Sequence, residues 1–191
     1  MARIDRFARR CLALPRKLRR DRPAAVLFGV ALLAGLAFSL VLGAYLGREE
    51  AVEASLDFAA LAPADRCLAQ AIYFEARGEP FEGRMAVAQV IQTRIADPRY
   101  PNDVCAVVFQ NAGRRHRCQF SFACDGKSDR PPPSPAWNSA ARLARLVNTG
   151  YLRDLTGGAT HYHADYVKPD WTREAAPTAT IGRHRFYRPD G

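Results

Sequence analysis

Glu75 is the residue whose position in the sequence first suggests chemistry. Leu68, Ala71 and Ile72 recur at helical spacing, and Glu75 falls on the same apolar stripe. Gly78 and the proline two residues later form a helix-stop signal, which places the carboxyl group in the last helical turn on the core side. Burial and the negative end of the helix dipole both raise a carboxyl pKa. A carboxyl group that stays protonated near neutral pH can act as a general acid on a glycosidic bond.

A second carboxyl group would complete the pair that glycosidases commonly use. Glu79 and Glu82 lie beyond the helix-stop signal, and we expect them to be exposed to solvent or to cap a helix. No candidate has a position as suggestive as that of Glu75. This asymmetry favours one carboxyl group that acts first as acid and then as base, whereas Asp125 acting through a water molecule would give a hydrolase. The candidate partners are Glu79, Glu82, Asp125, Asp129 and Asp165.

Four sequence blocks resemble, in the same order, the cell wall hydrolases of the spore cortex-lytic (SleB-type) family. They are EARGEP with the following glycine and AVAQVI (residues 75–91), CQFSF with CDG (118–126), GATHYHA (158–164) and IGRHRFY (181–187). The resemblance implies a lysozyme-like, resuscitation-factor-like domain that cleaves peptidoglycan with a single catalytic glutamate. That glutamate corresponds to Glu75, and we expect no cofactor.

The predicted reaction is cleavage of glycan strands between N-acetylmuramic acid and N-acetylglucosamine. Glu75 would protonate the leaving glycosidic oxygen and then accept the proton of the sugar's own 6-hydroxyl, which attacks the anomeric carbon. The product of this lytic transglycosylation is an anhydro-muramyl end, and no water is consumed. Hydrolysis of the muramidase type stays open at this point, as does a non-catalytic module that only binds the wall.

Three histidines form a second group of residues that could carry chemistry. His161 and His163 lie two apart in a predicted strand and so share a face, and His184 could approach from the neighbouring strand. Three histidines that meet an acid could bind zinc, which predicts a zinc peptidase acting on the peptide stems as the alternative. The chain contains no HExxH motif, so we expect these histidines, with Tyr162, to line the substrate cleft opposite Glu75 instead.

The segment CQFSFAC (residues 118–124) combines an amide, a hydroxyl and two aromatic rings. Such groups suit carbohydrate binding, although the phenylalanines could equally pack into the core. Trp171 follows a Pro-Asp pair in a loop and is either a sugar platform or a core residue, whereas Trp137 is more typical of a core. The predicted substrate-binding residues are Gln119, Ser121, His161, Tyr162, His163, His184 and Trp171.

The net charge of +9 is concentrated in an N-terminal arm. Residues 1–22 contain nine Arg and Lys residues against two acidic ones, whereas the remainder of the chain has 19 basic and 17 acidic residues. A nucleic-acid-binding domain would carry a basic footprint on its folded part, and only the RRHR run at 114–117 hints at one. We therefore expect no nucleic-acid partner.

An uncharged segment of 23 residues, 24–46, follows the arm. About 20 apolar residues cross a bilayer, whereas the apolar region of a secretory signal has only about 7–15. The length favours an uncleaved signal-anchor in the inner membrane, with cleavage near Ala44 as the alternative. In either case the arginine-rich flank stays in the cytoplasm, where it could contact anionic lipid, and the following domain is exported.

Four of the five cysteines lie beyond this segment, and Cys11 lies in the arm. An even set in an oxidising compartment suggests two disulfides, for which three pairings exist. We favour a local bridge between Cys118 and Cys124, with Cys67 joined to Cys105. The absence of CxxC spacing argues against a metal site made of cysteines.

The periodicity predicts helices over about residues 64–77, 81–95, 104–110 and 136–148, and strands over 160–164 and 178–187. Asn102 and Asp103 can cap the third helix, Ser134 and Pro135 can open the fourth, and Gly182 marks a turn. The fold class is therefore α+β and mostly helical, with a small β element, preceded by one transmembrane helix. The predicted organisation is a basic cytoplasmic arm (1–23), a signal-anchor (24–46), a linker (47–62) and a catalytic domain (63–191).

Overall fold

The computed structural model describes residues 22–54, 56–114, 117–150 and 152–189. The chain divides into two compact units, Met1–Ala51 and Val52–Gly191. Almost all of the predicted basic arm lies outside the described residues, together with Cys11 and the centre of the RRHR run.

One long helix, α1, covers Arg22–Ala54, and all but its last three residues belong to the first unit. Its segment Val26–Arg48 is apolar around its whole circumference and is not buried in the structure. A helix that is apolar on every side belongs either in a protein core or in a membrane. By length and composition, this segment is sufficient to cross a bilayer.

The linker predicted over 47–62 differs from the observed structure. Helix α1 continues to Ala54, and Leu56 and Leu61, only 1% and 3% exposed, belong to the core of the second unit. The Trp137 indole N–H donates a hydrogen bond to the Leu56 carbonyl oxygen at 2.9 Å. The packed domain therefore begins before residue 63, because apolar side chains in this segment enter its core.

Four helices build the larger part of the second unit, close to the predicted positions. Helix α2 is central and packs against the other three, with Leu68, Ala71 and Ile72 fully buried. The Asp103 carboxylate caps α4 by accepting from the Ala106 N–H, and the Ser134 hydroxyl caps α5. The helices are α2 Pro63–Ala76, α3 Phe81–Ala96, α4 Val104–Val108 and α5 Pro135–Asn148.

A three-stranded antiparallel sheet completes the unit, in the order β1-β3-β2. Gly182, with φ of +58°, forms the turn between β2 and β3 as predicted. Phe186 packs with Ala86 and Val90 of α3, which places one face of the sheet on the helices. The strands are β1 His161–Ala164, β2 Ala175–Ile181 and β3 His184–Pro189.

Both favoured disulfides are present in the structure. Cys67–Cys105 joins α2 to α4, and Cys118–Cys124 closes a seven-residue loop that ends in the short 3-10 helix Ser121–Cys124. A second 3-10 helix covers Asp170–Glu174, immediately before β2. The first bridge therefore fixes the helical core, whereas the second gives one surface loop a defined shape.

Candidate active site

Glu75 lies in the last turn of α2, at the edge of its buried stripe, and is half-buried. Burial raises the pKa of its carboxyl group, and a hydrogen bond from the Ser121 backbone N–H opposes part of that rise. Among the described residues no second carboxylate contributes to the shift. The structure therefore places Glu75 where the sequence predicted, and burial raises its pKa in the predicted direction.

The loop 118–124 brings the Ser121 N–H to Glu75 because its two phenylalanines are buried. Phe122 stacks on Phe74, the neighbour of Glu75 in α2, with ring centroids 4.7 Å apart. Phe120 is also buried, whereas the Ser121 side chain is exposed. Of the two roles considered for these rings, packing is the one the structure shows, and this packing sets the position of the loop beside the acid.

Tyr162 of β1 is the second group beside Glu75. Burial and the nearby Glu75 charge together raise the pKa of its phenol. The ring packs edge-on against His184, with centroids 5.2 Å apart, and lies tilted on Phe186 at 5.8 Å. Tyr162, on the helical face of the sheet, is therefore close enough to Glu75 for the two groups to interact electrostatically.

Arg94 is a component of the site that the sequence analysis missed. It lies near the end of α3, is buried, and donates from Nε to the Thr160 carbonyl oxygen at 2.8 Å. With the Gln119 amide assigned so that its oxygen faces donors, that oxygen accepts hydrogen bonds from Nη1 and Nη2 at 2.8 and 3.1 Å. A basic residue in a last helical turn is ordinarily explained by the helix dipole, so its sequence position gives no signal of this role.

The three histidines do not form the zinc site that was considered as the alternative. Cα pairing of His163 with Arg185 and of Ala164 with His184 places His184 on the opposite face of the sheet from His161 and His163. Within the described ranges, no group of three His, Cys, Asp or Glu residues is arranged to hold a metal ion. The expectation that all three would line one cleft with Tyr162 was wrong, because His184 shares the face of Tyr162 whereas His161 and His163 lie on the other face.

On the outer face of the sheet, His161 and His163 pack with two aromatic rings. Trp171 lies 5.4 and 5.8 Å from them by ring centroids, and Tyr187 stacks on His163 at 5.2 Å. The Tyr187 hydroxyl lies 3.1 Å from His163 Nε2. This group of rings is separate from the face on which Tyr162 approaches Glu75.

Glu79 is buried, contrary to the expectation that it would be solvated or capping a helix. Burial alone would raise its pKa, but hydrogen bonds from the Arg183 backbone and guanidinium and the neighbouring His184 hold the pKa below its ordinary value. The Arg183 N–H donates to Glu79 Oε2 at 2.8 Å, and His184 Nδ1 lies 3.9 Å from the same oxygen. Glu79 therefore anchors the β2–β3 turn, a long-range contact that helix-boundary signals do not reveal.

The other candidate carboxylates do not lie at a buried helix end as Glu75 does. Glu82, Asp125 and Asp165 are exposed, and Asp125 accepts a hydrogen bond from the Lys127 N–H. Asp129 is half-buried, and burial together with the charge of Asp125 raises its pKa. Glu75 thus remains the carboxyl group with the clearest chemical assignment.

Two cavities formed by the described residues lie away from Glu75. One of about 540 Å³ is lined by Phe58, Arg130, Trp137 and the proline-rich loop before α5. Another, of about 290 Å³, lies on the outer face of the sheet beside His163 and Tyr187. The candidate site is therefore assigned from the chemistry around Glu75 rather than from cavity size.

Comparison with known proteins identifies a family. The model of the Cell Wall Hydrolase family matches residues 78–187, a segment that begins three residues after Glu75. The chain is 34% identical over 120 residues to the spore cortex-lytic enzyme of Halalkalibacterium halodurans and 33% identical over 121 residues to that of Bacillus subtilis. These matches cover 62% and 63% of this chain but 33% and 36% of the two relatives, so the chain spans about a third of their length.

Two solved structures have a similar fold. The catalytic domain of the germination-specific lytic transglycosylase SleB from Bacillus anthracis is 31% identical, with a TM-score of 0.53, over 67% of this chain and 97% of that domain. The catalytic domain of Bacillus cereus SleB is also 31% identical, with a TM-score of 0.51, over 66% and 91% of the two chains. The fold, the sequence blocks and the family match agree, and the chain belongs to the cell wall hydrolase family.

Proposed function

We propose that this protein cleaves the glycan strands of peptidoglycan between N-acetylmuramic acid and N-acetylglucosamine, with Glu75 as general acid and base. The observation that carries the proposal is the half-buried Glu75 carboxyl group, whose pKa is raised by burial, in a chain of the cell wall hydrolase family. The likeness to a solved lytic transglycosylase domain supports the same reaction.

The first step needs a proton on Glu75. The carboxyl group donates this proton to the glycosidic oxygen as the bond from that oxygen to the anomeric carbon breaks. Burial raises the fraction of Glu75 that carries this proton near neutral pH, which makes the general acid available for the step. The Ser121 N–H then stabilises the carboxylate that is left, because a backbone donor favours the charged form.

The second step uses the same carboxylate as a base. Glu75 accepts the proton of the muramic acid 6-hydroxyl while that oxygen bonds to the anomeric carbon. The products are an anhydro-muramyl end and a strand with a new 4-hydroxyl, and Glu75 regains its proton. One carboxyl group suffices for this cycle, which agrees with the absence of a second carboxylate among the causes of its pKa shift.

The proposed contacts with substrate depend on whether a residue lies near Glu75 or on the outer face of the β-sheet. Ser121 and Tyr162 interact with Glu75 and, together with Gln119 of the same loop as Ser121, are proposed to bind the sugars. The His184 ring packs edge-on against the Tyr162 ring. The predicted contacts of His161, His163 and Trp171 with substrate stay predictions, and they would involve the outer face of the sheet.

We also propose that the Val26–Arg48 segment anchors the protein in the inner membrane, with the catalytic domain outside the cytoplasm. Its length and apolar composition support this role, as do the two disulfides, which persist in oxidising compartments. Peptidoglycan, the proposed substrate, lies in the same compartment.

Mass spectrometry of purified sacculi digested by the full chain in detergent tests the reaction. Anhydro-muramyl ends are expected from the wild type and are expected to be absent with Glu75→Gln, since the amide cannot donate and recover a proton. Exposed Glu82→Gln is the matched control and keeps the wild-type products. Reducing ends would establish hydrolysis instead, free peptides would indicate a peptidase, and equal inactivity of wild type and variant would leave only a wall-binding module.

A further inference from the structure

The cavity of about 290 Å³ on the outer face of the sheet has no part in the proposed reaction. Two buried residues of the sheet, His163 of β1 and Tyr187 of β3, form one side of it, and the segment 168–173 forms the other. Tyr162, the neighbour of Glu75, lies on the opposite face of the sheet. A group bound in this cavity would therefore be separate from the sugar at Glu75.

Trp171 holds the segment 168–173 against the sheet. Its ring packs edge-on against His163 and Tyr187, with centroids 5.8 and 5.3 Å apart. Tyr187 in turn stacks on His163 at 5.2 Å. Because these three rings fix both sides of the cavity, it is preformed, and a ligand would not have to order the surrounding chain in order to bind.

Both ring nitrogens of His163 are occupied by other groups of the protein. Nδ1 lies 2.8 Å from the Ala164 carbonyl oxygen, which can only accept, so this nitrogen is assigned the proton of the neutral ring. Nε2 then accepts from the Tyr187 hydroxyl, 3.1 Å away. The imidazole is therefore structural, and the binding chemistry must come from the charged side chains that line the cavity.

The lining contains three basic side chains and one acidic one. Arg173 pairs with Asp170 at 3.3 Å, whereas Lys168 and Arg185 form no ion pair with a carboxylate among the residues that the structure describes. The chain beyond residue 22 has 19 basic and 17 acidic residues, so this one cavity has as large a positive excess as that whole part of the chain. Such a local excess predicts an anionic ligand.

We infer that this cavity binds a carboxylate of a peptidoglycan peptide stem through Lys168 and Arg185, and so holds the wall at a second point. The identity of the polymer rests on the proposed function. N-acetylated glycan is uncharged, and the lactyl carboxyl group of muramic acid is neutral where it is amide-linked to a stem. The stem carboxylates are therefore the anions that intact peptidoglycan offers to two unpaired cations.

The size of the cavity agrees with a peptide end rather than a glycan strand. Pockets that enclose drug-sized ligands have volumes of about 300–1,000 Å³, and this cavity lies at the lower limit of that range. A stem is short and flexible, and it branches from the strand, so it can reach a face of the domain that the cleaved sugar does not contact.

Isothermal titration calorimetry of the full chain in detergent tests the site with an N-acetylated stem tripeptide, Ala-γ-Glu-diaminopimelate. The tripeptide is expected to bind at least about tenfold more tightly than the same peptide with all its carboxylates amidated, since charge-assisted hydrogen bonds are lost. N-acetylmuramic acid, which has a free lactyl carboxylate, and glycerol phosphate, which resembles a lipid headgroup, are expected to bind as weakly as the amidated peptide.

The double variant Lys168→Gln and Arg185→Gln removes both unpaired charges and keeps most of the length of each side chain. Tripeptide affinity is expected to fall at least about tenfold. The double variant Arg114→Gln and Lys127→Gln, at two exposed positions in other segments, changes the net charge equally and is expected to bind like the wild type. Circular dichroism and melting temperature establish folding, and Lys168→Gln alone, with an expected several-fold loss, supplies the answer if the first pair does not fold.

Cleavage of solubilised strands that carry stems gives a second readout. The Lys168→Gln and Arg185→Gln variant is expected to raise KM several-fold and to keep kcat, because the cavity lies on the face of the sheet away from Tyr162.

Absence of tripeptide binding to the wild type would overturn the inference, as would wild-type affinity in the folded Lys168→Gln and Arg185→Gln variant. Equally tight binding of the amidated peptide, N-acetylmuramic acid or glycerol phosphate would also overturn it. Failure of the proposed function is a different result, in which the wild type cleaves no glycan, and the tripeptide titration still decides whether the cavity binds a stem.

Discussion

Glu79 follows Glu75 by four residues, yet the surroundings of the two carboxyl groups shift their pKa values in opposite directions. Glu75 faces the disulfide-closed loop and Tyr162, where burial raises its pKa and one backbone N–H opposes the rise. Glu79 faces the β2–β3 turn, where Arg183 and His184 lower the pKa despite burial. A glutamate is thus the proposed general acid at position 75, whereas at position 79 a charged glutamate holds the β2–β3 turn. The difference comes from the groups that distant segments of the chain place beside each carboxyl group.

Glu75→Gln should give the largest effect, because it removes the proton donor and leaves the fold intact. We expect a fall in kcat of about 10²–10⁴-fold, the usual contribution of general acid–base catalysis. The melting temperature should change little. Release of anhydro-muramyl ends from sacculi is the measurement, and a variant that retains more than a tenth of wild-type turnover would contradict the assignment.

Gly182→Ala should destabilise the region around Glu79. An added Cβ would overlap the Glu79 carboxylate, in a backbone conformation that side chains rarely adopt. We expect a loss of about 2–4 kcal/mol in the free energy of unfolding, measured by urea denaturation. Gly113→Ala is the control, since no neighbouring atom lies within 4 Å of its added Cβ. Equal stability of the two variants would mean that Glu79 does not hold the turn.

The double variant Cys118→Ser and Cys124→Ser should affect the Glu75 region instead. Opening a loop of this size costs about 2 kcal/mol in the chain-entropy model. Because the loop carries the Ser121 N–H, we expect activity to fall several-fold at temperatures where the domain stays folded. Glycan cleavage measured beside thermal unfolding separates the two effects, and wild-type activity in a folded variant would show that the closed loop is dispensable for Glu75.

The smallest effects should appear in pH profiles. Catalysis needs protonated Glu75, so kcat/KM should fall as pH rises through its pKa, which lies above the ordinary carboxyl range.

Glu79 behaves oppositely: its lowered pKa contributes stability above about pH 4.3, and this contribution disappears as pH falls through the folded-state value. Denaturation at several pH values should show a weaker acid-side loss in Glu79→Gln than in the wild type.

Much of the fold could be predicted because its signals are local. The apolar stripe of α2, the Ser134 cap of α5 and the Gly182 turn each depend on residues close together in sequence, and all three are observed. The N-terminal boundary of the packed domain was harder to predict from the sequence. Leu56 and Leu61 lie in a segment with weak periodicity, and only their packing in the core reveals that they belong to it.

The candidate site could be predicted only in part. Glu75 was found because both its burial and its helix end are local properties. Arg94 was missed, and Glu79 was expected in solvent or at a helix cap, because their partners Gln119 and Arg183 lie 25 and 104 residues away along the chain. His161 and His163 were expected in one cleft with Tyr162 and His184, but successive residues of a strand point to opposite faces, and the register leaves those two histidines on the outer face.

The amino-acid sequence by itself determined the helices, the turn, the long apolar segment and the glutamate at the end of α2, since hydrophobic periodicity and capping act within a few residues. Only the tertiary structure decided which charged groups are buried and what faces them. A pKa depends on desolvation and on charges a few ångströms away, and those neighbours come from segments that meet only when the chain has folded.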